Sequence, residues 1–231
     1  MNNAYNEIKG LFGKEDFHIH PRPDFREANL IRRYIRELNY FGVKKIGFVE
    51  HGIRKSDNHK SILFSESSIN DFVNYIHKEN EYDCHNIFAG IEVDYIGCDE
   101  QYMDYIDMVS MSGIDYVIGS VHGKYEDYNE YLEDTITMLE TYKIDILGHF
   151  KMKKDIVKYS NIDRIIQLLR DKNIIFEVNI APRYDTTIEN KRYIYNMIKL
   201  NNVRISMGSD AHSIDDIKRN YLNLSWKELL S

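Results

Sequence analysis

The chain has 231 residues, 43% of them hydrophobic and 29% charged, which is enough apolar material for one full core and argues against disorder. Its net charge of −7 counts against a surface built to lie along a nucleic-acid backbone, which carries a basic face. Two cysteines, Cys84 and Cys98, without framework spacing read as reduced thiols; with no signal-like or membrane-length apolar run, the expected location is the cytoplasm.

In chain order, short apolar runs alternate with amphipathic stretches. Asp16–His20 reads as a strand, followed by a helix over Asp24–Tyr40 with Ile31, Tyr34, Ile35 and Leu38 on one face and Asp24 with Glu27 as a capping pair. A strand at Lys45–His51 precedes a helix near Asn70–Lys78. A third strand at Asn86–Tyr95 leads to a helix over Tyr102–Val109, and a fourth at Tyr116–His122 to one over Asn129–Tyr142. The fifth strand is expected at Ile144–His149, before a helix over Ile162–Asp171 capped by Ser160 with Asp163. The sixth spans Ile174–Ile180, with a helix over Ile188–Leu200, and the seventh Arg204–Asp210, with a last helix capped by Ser213 and Asp216. The prolines at 21, 23 and 182 fall in loops. Seven strand–helix units without a Gly-rich phosphate loop predict a parallel sheet closed or nearly closed into a β/α barrel, as one domain over residues 1–231.

The polar residues are placed unevenly along this pattern. Of nine histidines, six stand at or just after strand ends: His18, His20, His51, His122, His149 and His212. Asp16, Glu50, Glu92, Asp94, Glu177 and Asp210 share those positions. In a parallel barrel that end is where sites are assembled. A spacing of two puts His18 and His20 on one face of their strand, where both can ligate one cation, and Glu92 and Asp210 would add oxygen ligands from other strands. Imidazole with carboxylate suits Zn²⁺, Mn²⁺ or Fe²⁺, and two or more such ions together polarise a phosphoryl oxygen and activate water. A single histidine is more often structural, and His59, His77 and His85 are read so, with His77 solvated on its helix.

Seven motifs follow in order: D-F-H-I-H at Asp16–His20, V-E-H-G at Val49–Gly52, G-I-E-V-D at Gly90–Asp94, G-S-V-H at Gly119–His122, D-I-L-G-H at Asp145–His149, E-V-N at Glu177–Asn179 and G-S-D-A-H at Gly208–His212. Together they resemble the PHP (polymerase and histidinol phosphatase) family. G-S-V-H, D-I-L-G-H and E-V-N followed by Arg183 are nearest to the histidinol-phosphatase branch. The resemblance implies a distorted seven-stranded TIM-like barrel holding two or three divalent ions (Zn, Mn or Fe). His18, His20, Glu92 and Asp210 would hold one ion, Glu92 with His122 and His149 a second, and His51 with His212 a third. It also implies catalytic roles for Glu92, Asp210 and His212, and a phosphate-binding role for Arg183. Arg22 and Arg54, after the first two strand-end motifs, are further candidates for an anionic substrate. Tyr125, Tyr128 and Tyr131 could wall its pocket, with helix packing the plainer account of Tyr131.

The implied activity is hydrolysis of a small phosphomonoester, with histidinol phosphate, in histidine biosynthesis, as the leading substrate. The alternatives are a PHP-type protein-tyrosine phosphatase, a phosphodiesterase or nuclease, a metal-dependent amidohydrolase, and a non-catalytic metal-binding domain. The expected partner is a small phosphorylated substrate, with no nucleic acid and no membrane. The chain departs from the family pattern in two places. Pro21-Arg22-Pro23-Asp24 stands where a further histidine usually follows H-x-H, and Phe150-Lys151 where an aspartate often follows the fifth-strand histidine.

Overall fold

The computed structural model describes residues 14–21, 29–53, 65–80, 86–153, 155–184 and 186–222. Seven parallel strands follow one another around the sheet in chain order. They are β1 (Glu15–Ile19), β2 (Lys45–His51), β3 (Asn86–Asp94), β4 (Tyr116–Ser120), β5 (Ile146–Leu147), β6 (Ile175–Asn179) and β7 (Ile205–Gly208). The helices between and after them are α1 (Leu30–Tyr40), α2 (Glu66–Asn80), α3 (Glu100–Met111), α4 (Tyr128–Thr141), α5 (Asn161–Asp171), α6 (Ile188–Leu200) and α7 (Ile214–Tyr221). This is the nearly closed β/α barrel that the alternating pattern predicts.

The first and last strands meet at a seam made partly by side chains. An isolated parallel bridge joins Ile19 to Ala211, and His20 N–H donates to Ala211 O at 2.8 Å. Below it, Asp16 Oδ1 accepts from Ser209 N–H at 3.0 Å and from His18 N–H at 3.2 Å, and its Oδ2 accepts from the Tyr221 hydroxyl at 3.0 Å. A buried carboxylate thus satisfies main-chain donors where the ladder of β1 shifts register between Asp16 and Ile19.

Alternation along the strands sorts side chains into two cores. Outward residues such as Ile46, Phe48, Ile87, Ile91, Val117 and Phe176 pack under the helices. Inward residues Val49, Tyr116, Ile118 and Ile146, with Phe17, Phe88 and Ile175, fill the barrel below its mouth. Tyr116 crosses the lumen, its hydroxyl donating to Phe17 O at 2.7 Å. The crossing depends on Gly47 and Gly90, where a Cβ would come within 2.0 and 2.4 Å of the Tyr116 side chain. The barrel is therefore plugged, and the polar residues higher on the same inward faces are confined to its C-terminal mouth.

The structure shifts several sequence expectations. The helix expected over Asp24–Tyr40 begins at Leu30, because Asn29 adopts a left-handed conformation (φ 68°) that no continuous α-helix tolerates. Asp24 and Glu27 lie outside the described residues. The fifth strand shrinks from Ile144–His149 to Ile146–Leu147: Gly148 N–H still reaches Gly119 O at 2.9 Å, but the His149 amide goes to the Glu177 side chain. Ser160 makes no side-chain cap: it is already helical (φ −63°, ψ −25°), and Asp163 N–H bonds its carbonyl at 3.2 Å. Ser213 does cap α7, its Oγ accepting from Asp216 N–H at 3.1 Å, while Asp216 accepts from His212 N–H at 3.1 Å. His77 is not simply solvated; its ring bonds Asp115 at 2.7 Å.

Candidate metal centre

The sites for the predicted ligands are set by strand phase. Glu92 is on the inward face of β3, and Ser120 follows on the inward face of β4. His18 and His20 face the same mouth from β1, and His51 ends β2. His122, His149, Asp210 and His212 lie just past β4, β5 and β7. Asp210 has φ 49°, a left-handed conformation that aspartate tolerates better than most residues. His18, His20, Glu92, His149 and Asp210 are all buried.

Glu92 is the hub. Its Oε1 lies 2.9 Å from His149 Nε2 and 3.8 Å from His122 Nε2. Its Oε2 lies 2.9 Å from His51 Nδ1, 3.5 Å from His20 Nε2 and 3.6 Å from His18 Nε2. Asp210 Oδ1 stands 3.6 Å from His20 Nε2, 3.8 Å from His18 Nε2 and 3.5 Å from His212 Nδ1. Three sets have ligand atoms within 4.8 Å of one another: His18, His20 and Glu92; Glu92, His122 and His149; and His20, His51 and His212. The third set contains His20 as well as the His51–His212 pair expected from sequence, and His20 stacks on both rings at centroid distances of 4.1 and 4.3 Å.

Two carboxylates orient imidazoles from behind. His18 Nδ1–H donates to Glu177 Oε1 at 2.7 Å, and His122 Nδ1–H to Asp94 Oδ1 at 2.8 Å, so each ring turns Nε2 inward. Glu177 Oε2 accepts from the His149 main-chain N–H and, at 3.1 Å, from Asn179 Nδ2. Gly208 makes room for the first pair, since a Cβ there would come within 1.9 Å of Glu177 Oε1 and 2.9 Å of His18 Cβ. Ser120, whose role was not legible in the sequence, donates to Glu92 Oε1 at 2.7 Å. Its position two residues before His122, on the same strand face, is the signal that could have found it.

The electrostatics divide the histidines. Burial opposes the charge on His18, but Glu177, Glu92 and Asp210 outweigh it and hold its pKa well above the ordinary value. Burial and the neighbouring His51 and His212 push His20 well below, with Glu92 opposing. Burial likewise takes His212 down to about 4, so it is neutral near pH 7. Burial would raise Glu92, Glu177 and Asp210, yet the surrounding imidazoles, His18 foremost, lower all three and keep them ionised.

Whether these residues fit a metal can be tested on their unmet hydrogen bonds. His18 Nε2 and both ring nitrogens of His20 are buried without a hydrogen-bond partner. Leaving such groups unsatisfied costs about 1–3 kcal/mol each. His18 Nε2, whose ring donates through Nδ1, and one of the two His20 nitrogens offer lone pairs that a divalent cation would accept. The donor set fits.

Of the residues expected to bind substrate, Arg183 joins the centre, its guanidinium bonded to Asp210 Oδ2. A cavity of about 560 Å³, lined by Arg183, Asp210, His212 and Arg219 among others, opens beside it. Arg22 and Arg54 lie outside the described residues, as do His59, Cys84 and His85. Tyr128 and Tyr131 are buried in helix packing, whereas Tyr125 is half-buried and donates to Asp134 at 2.6 Å. Cys98 is exposed and apart from the ligand sets.

The PHP domain model matches residues 16–181. The chain belongs to the PHP domain family. A Caldicellulosiruptor saccharolyticus protein named "Probable phosphatase" is 24% identical over 221 residues, covering 90% of this chain and 84% of that one. Among solved structures, the histidinol phosphate phosphatase of Lactococcus lactis, complexed with zinc, L-histidinol and phosphate, superposes with a TM-score of 0.67. It is 18% identical and covers 94% of both chains. A chain of archaeal ribonuclease P with mature tRNA shares the fold at TM-score 0.52 and 15% identity, over 94% of this chain and 87% of that one. At these identities the likeness to the solved structures is one of fold. Among the described residues no helix is long and apolar enough to cross a membrane.

Proposed function

We propose that this PHP-family chain is a metal-dependent phosphatase that hydrolyses a small phosphomonoester, with histidinol phosphate, in histidine biosynthesis, as the leading substrate. The observation that carries this reading is the position of Glu92, whose two carboxylate oxygens face five imidazoles and belong to two ligand sets at once. A carboxylate so placed suits two neighbouring cations. His18, His20, Glu92 and Asp210 would hold one divalent ion, and Glu92, His122 and His149 a second. His51 and His212 would hold a third, with His20 at hand beside them but already used by the first. Zinc, manganese and iron all suit this donor set. Bound ions of this kind polarise a phosphoryl oxygen and activate water.

The chain's own residues supply the rest. Arg183 offers a planar guanidinium to two phosphate oxygens. Arg22 and Arg54, on the segments after β1 and β2, are further substrate contacts. His212, kept neutral by burial, is suited to ligate through a ring nitrogen. The Lactococcus lactis structure with histidinol and phosphate supports the choice of substrate through the shared fold. The net charge of −7 favours a small substrate over a polyanionic strand. Residues 1–231 act as one catalytic unit in the cytoplasm.

The test measures metal content and phosphate release together, on histidinol phosphate, a phosphotyrosine peptide, p-nitrophenyl phosphate and bis-p-nitrophenyl phosphate, each with Mn²⁺ or Zn²⁺. Metal-dependent turnover strongest on histidinol phosphate is the expected result. Preference for the diester or the peptide moves the substrate class, and the absence of both bound metal and turnover overturns the proposal.

A further inference from the structure

Beyond Leu147 the fifth strand stops, yet His149 must reach the barrel mouth two residues later. Gly148 N–H still bonds Gly119 O at 2.9 Å, and from there side chains hold the backbone. Glu177 takes His149 N–H. Lys151 N–H donates to the Tyr131 hydroxyl at 2.8 Å, and the Tyr128 hydroxyl donates to Lys151 O at 2.5 Å. Thr186 Oγ1 donates to Met152 O at 2.9 Å, and Asn190 Nδ2 to Lys153 O at 2.8 Å.

The two tyrosines stand one helical turn apart on α4, with rings stacked at 5.4 Å and exposures of 5% and 3%. Between them they hold both main-chain polar groups of Lys151. Lys151 in turn donates from Nζ to Gly123 O at 3.0 Å, its ammonium 5.5 Å from the Tyr131 ring centroid. Gly123 directly follows His122. The loop carrying His149 is thereby braced against the loop carrying His122, and these are the two histidines that share a ligand set with Glu92.

We propose that Tyr128 and Tyr131 are positioning residues for the Glu92–His122–His149 half of the centre, acting through the Lys151 peptide. This rests on the metal-binding reading above. A ligand beyond its strand's hydrogen-bond ladder has no sheet register to fix it, so these hydroxyls share that task with Glu177, which holds the His149 amide. Packing of α4 alone needs the rings and not the hydroxyls, and the two roles can be separated by Tyr→Phe exchange.

The experiment loads wild type, Tyr128→Phe, Tyr131→Phe, the double variant and Tyr159→Phe with Zn²⁺. Tyr159 packs edge-on against Tyr128 at 4.9 Å, and its hydroxyl makes no hydrogen bond among the described residues, so it serves as the control. Zinc equivalents and their affinities are read by competition with a chromophoric chelator, and folding by circular dichroism. The double variant is expected to bind one equivalent at least tenfold more weakly than wild type while the remaining zinc is unchanged, with Tyr159→Phe like wild type. Affinities equal to those of the control overturn the proposal, as does a uniform loss of all zinc in step with lost folding. Should the double variant fail to fold, the single variants decide: about threefold selective weakening in each supports the proposal, and none overturns it. A wild-type chain that binds no zinc, manganese or iron overturns the metal reading itself, which is a distinct result.

Discussion

His18 Nδ1 lies 2.7 Å from Glu177 Oε1, and the same carboxylate takes the main-chain N–H of His149 with its other oxygen. One buried side chain on β6 therefore orients ligands on either side of it, from β1 and from the segment after β5. Glu177→Gln keeps the shape but replaces one acceptor with a donor. Outer partners of ligating histidines typically account for about 10–100-fold in metal affinity. A loss in that range is expected, spread over both ions, by chelator competition.

Gly208 leaves the space that this pair occupies. Gly208→Ala would place a Cβ 1.9 Å from Glu177 Oε1, a contact that one of the side chains must leave. Small-to-large changes at tight sites cost roughly 1–3 kcal/mol. A lower melting temperature together with weaker zinc binding is expected; a lower melting temperature with unchanged zinc affinity would show that the pair re-forms elsewhere.

Glu92 faces five imidazoles, and Glu92→Gln removes the charge shared by two ligand sets. Stabilisation of transition-state charge by bound ions amounts to several kcal/mol, or roughly 1000-fold in rate. The variant is expected to retain fewer metal equivalents and to lose kcat on that scale. Chelation of the wild type should reproduce the loss, and added Mn²⁺ or Zn²⁺ should reverse it.

Arg183 is bonded to Asp210 and borders the cavity beside it. A hydrogen bond to a charged group is worth about 1.5–3 kcal/mol, so Arg183→Ala should lower kcat/KM by roughly 10–100-fold. Metal content should stay at the wild-type value, since a guanidinium ligates no cation. A fall in zinc binding of the same size would place Arg183 in the support of Asp210 instead.

Asp16 is fully buried at the seam, and burial raises its pKa from 3.8 to about 6 against the pull of its hydrogen bonds to Ser209, His18 and Tyr221. A carboxyl whose folded pKa exceeds its unfolded value stabilises most below the unfolded pKa. That contribution is lost as pH rises to the folded pKa, so the window is about 4 to 6. A shift of this size corresponds to about 3 kcal/mol at most. Asp16→Asn, which stays neutral, should gain on wild type across that window and run parallel above it. Urea unfolding of the chelated protein at several pH values measures the difference.

Local sequence determined most of the elements. Apolar runs and helical periodicity put β2 at Lys45–His51 and α6 at Ile188–Leu200 with the bounds that the structure has, because both signals depend on residues a few positions apart. The gathering of histidines and carboxylates at strand ends was equally legible, since parallel strands send those ends to one side. What closure of the barrel decided was which ends meet. Glu92 facing five imidazoles, His20 stacking between His51 and His212, and Tyr116 reaching Phe17 are contacts between distant parts of the chain. No period in the sequence encodes them. The same holds where the local signal misled. His149 read as the end of a longer strand because the residues before it are apolar, yet its amide goes to Glu177. The start of α1 moved to Leu30 because Asn29 turns left-handed, a backbone choice that the apolar face of the helix does not report. Periodicity records which face of an element is buried, whereas the site depends on what each buried polar atom finds opposite it.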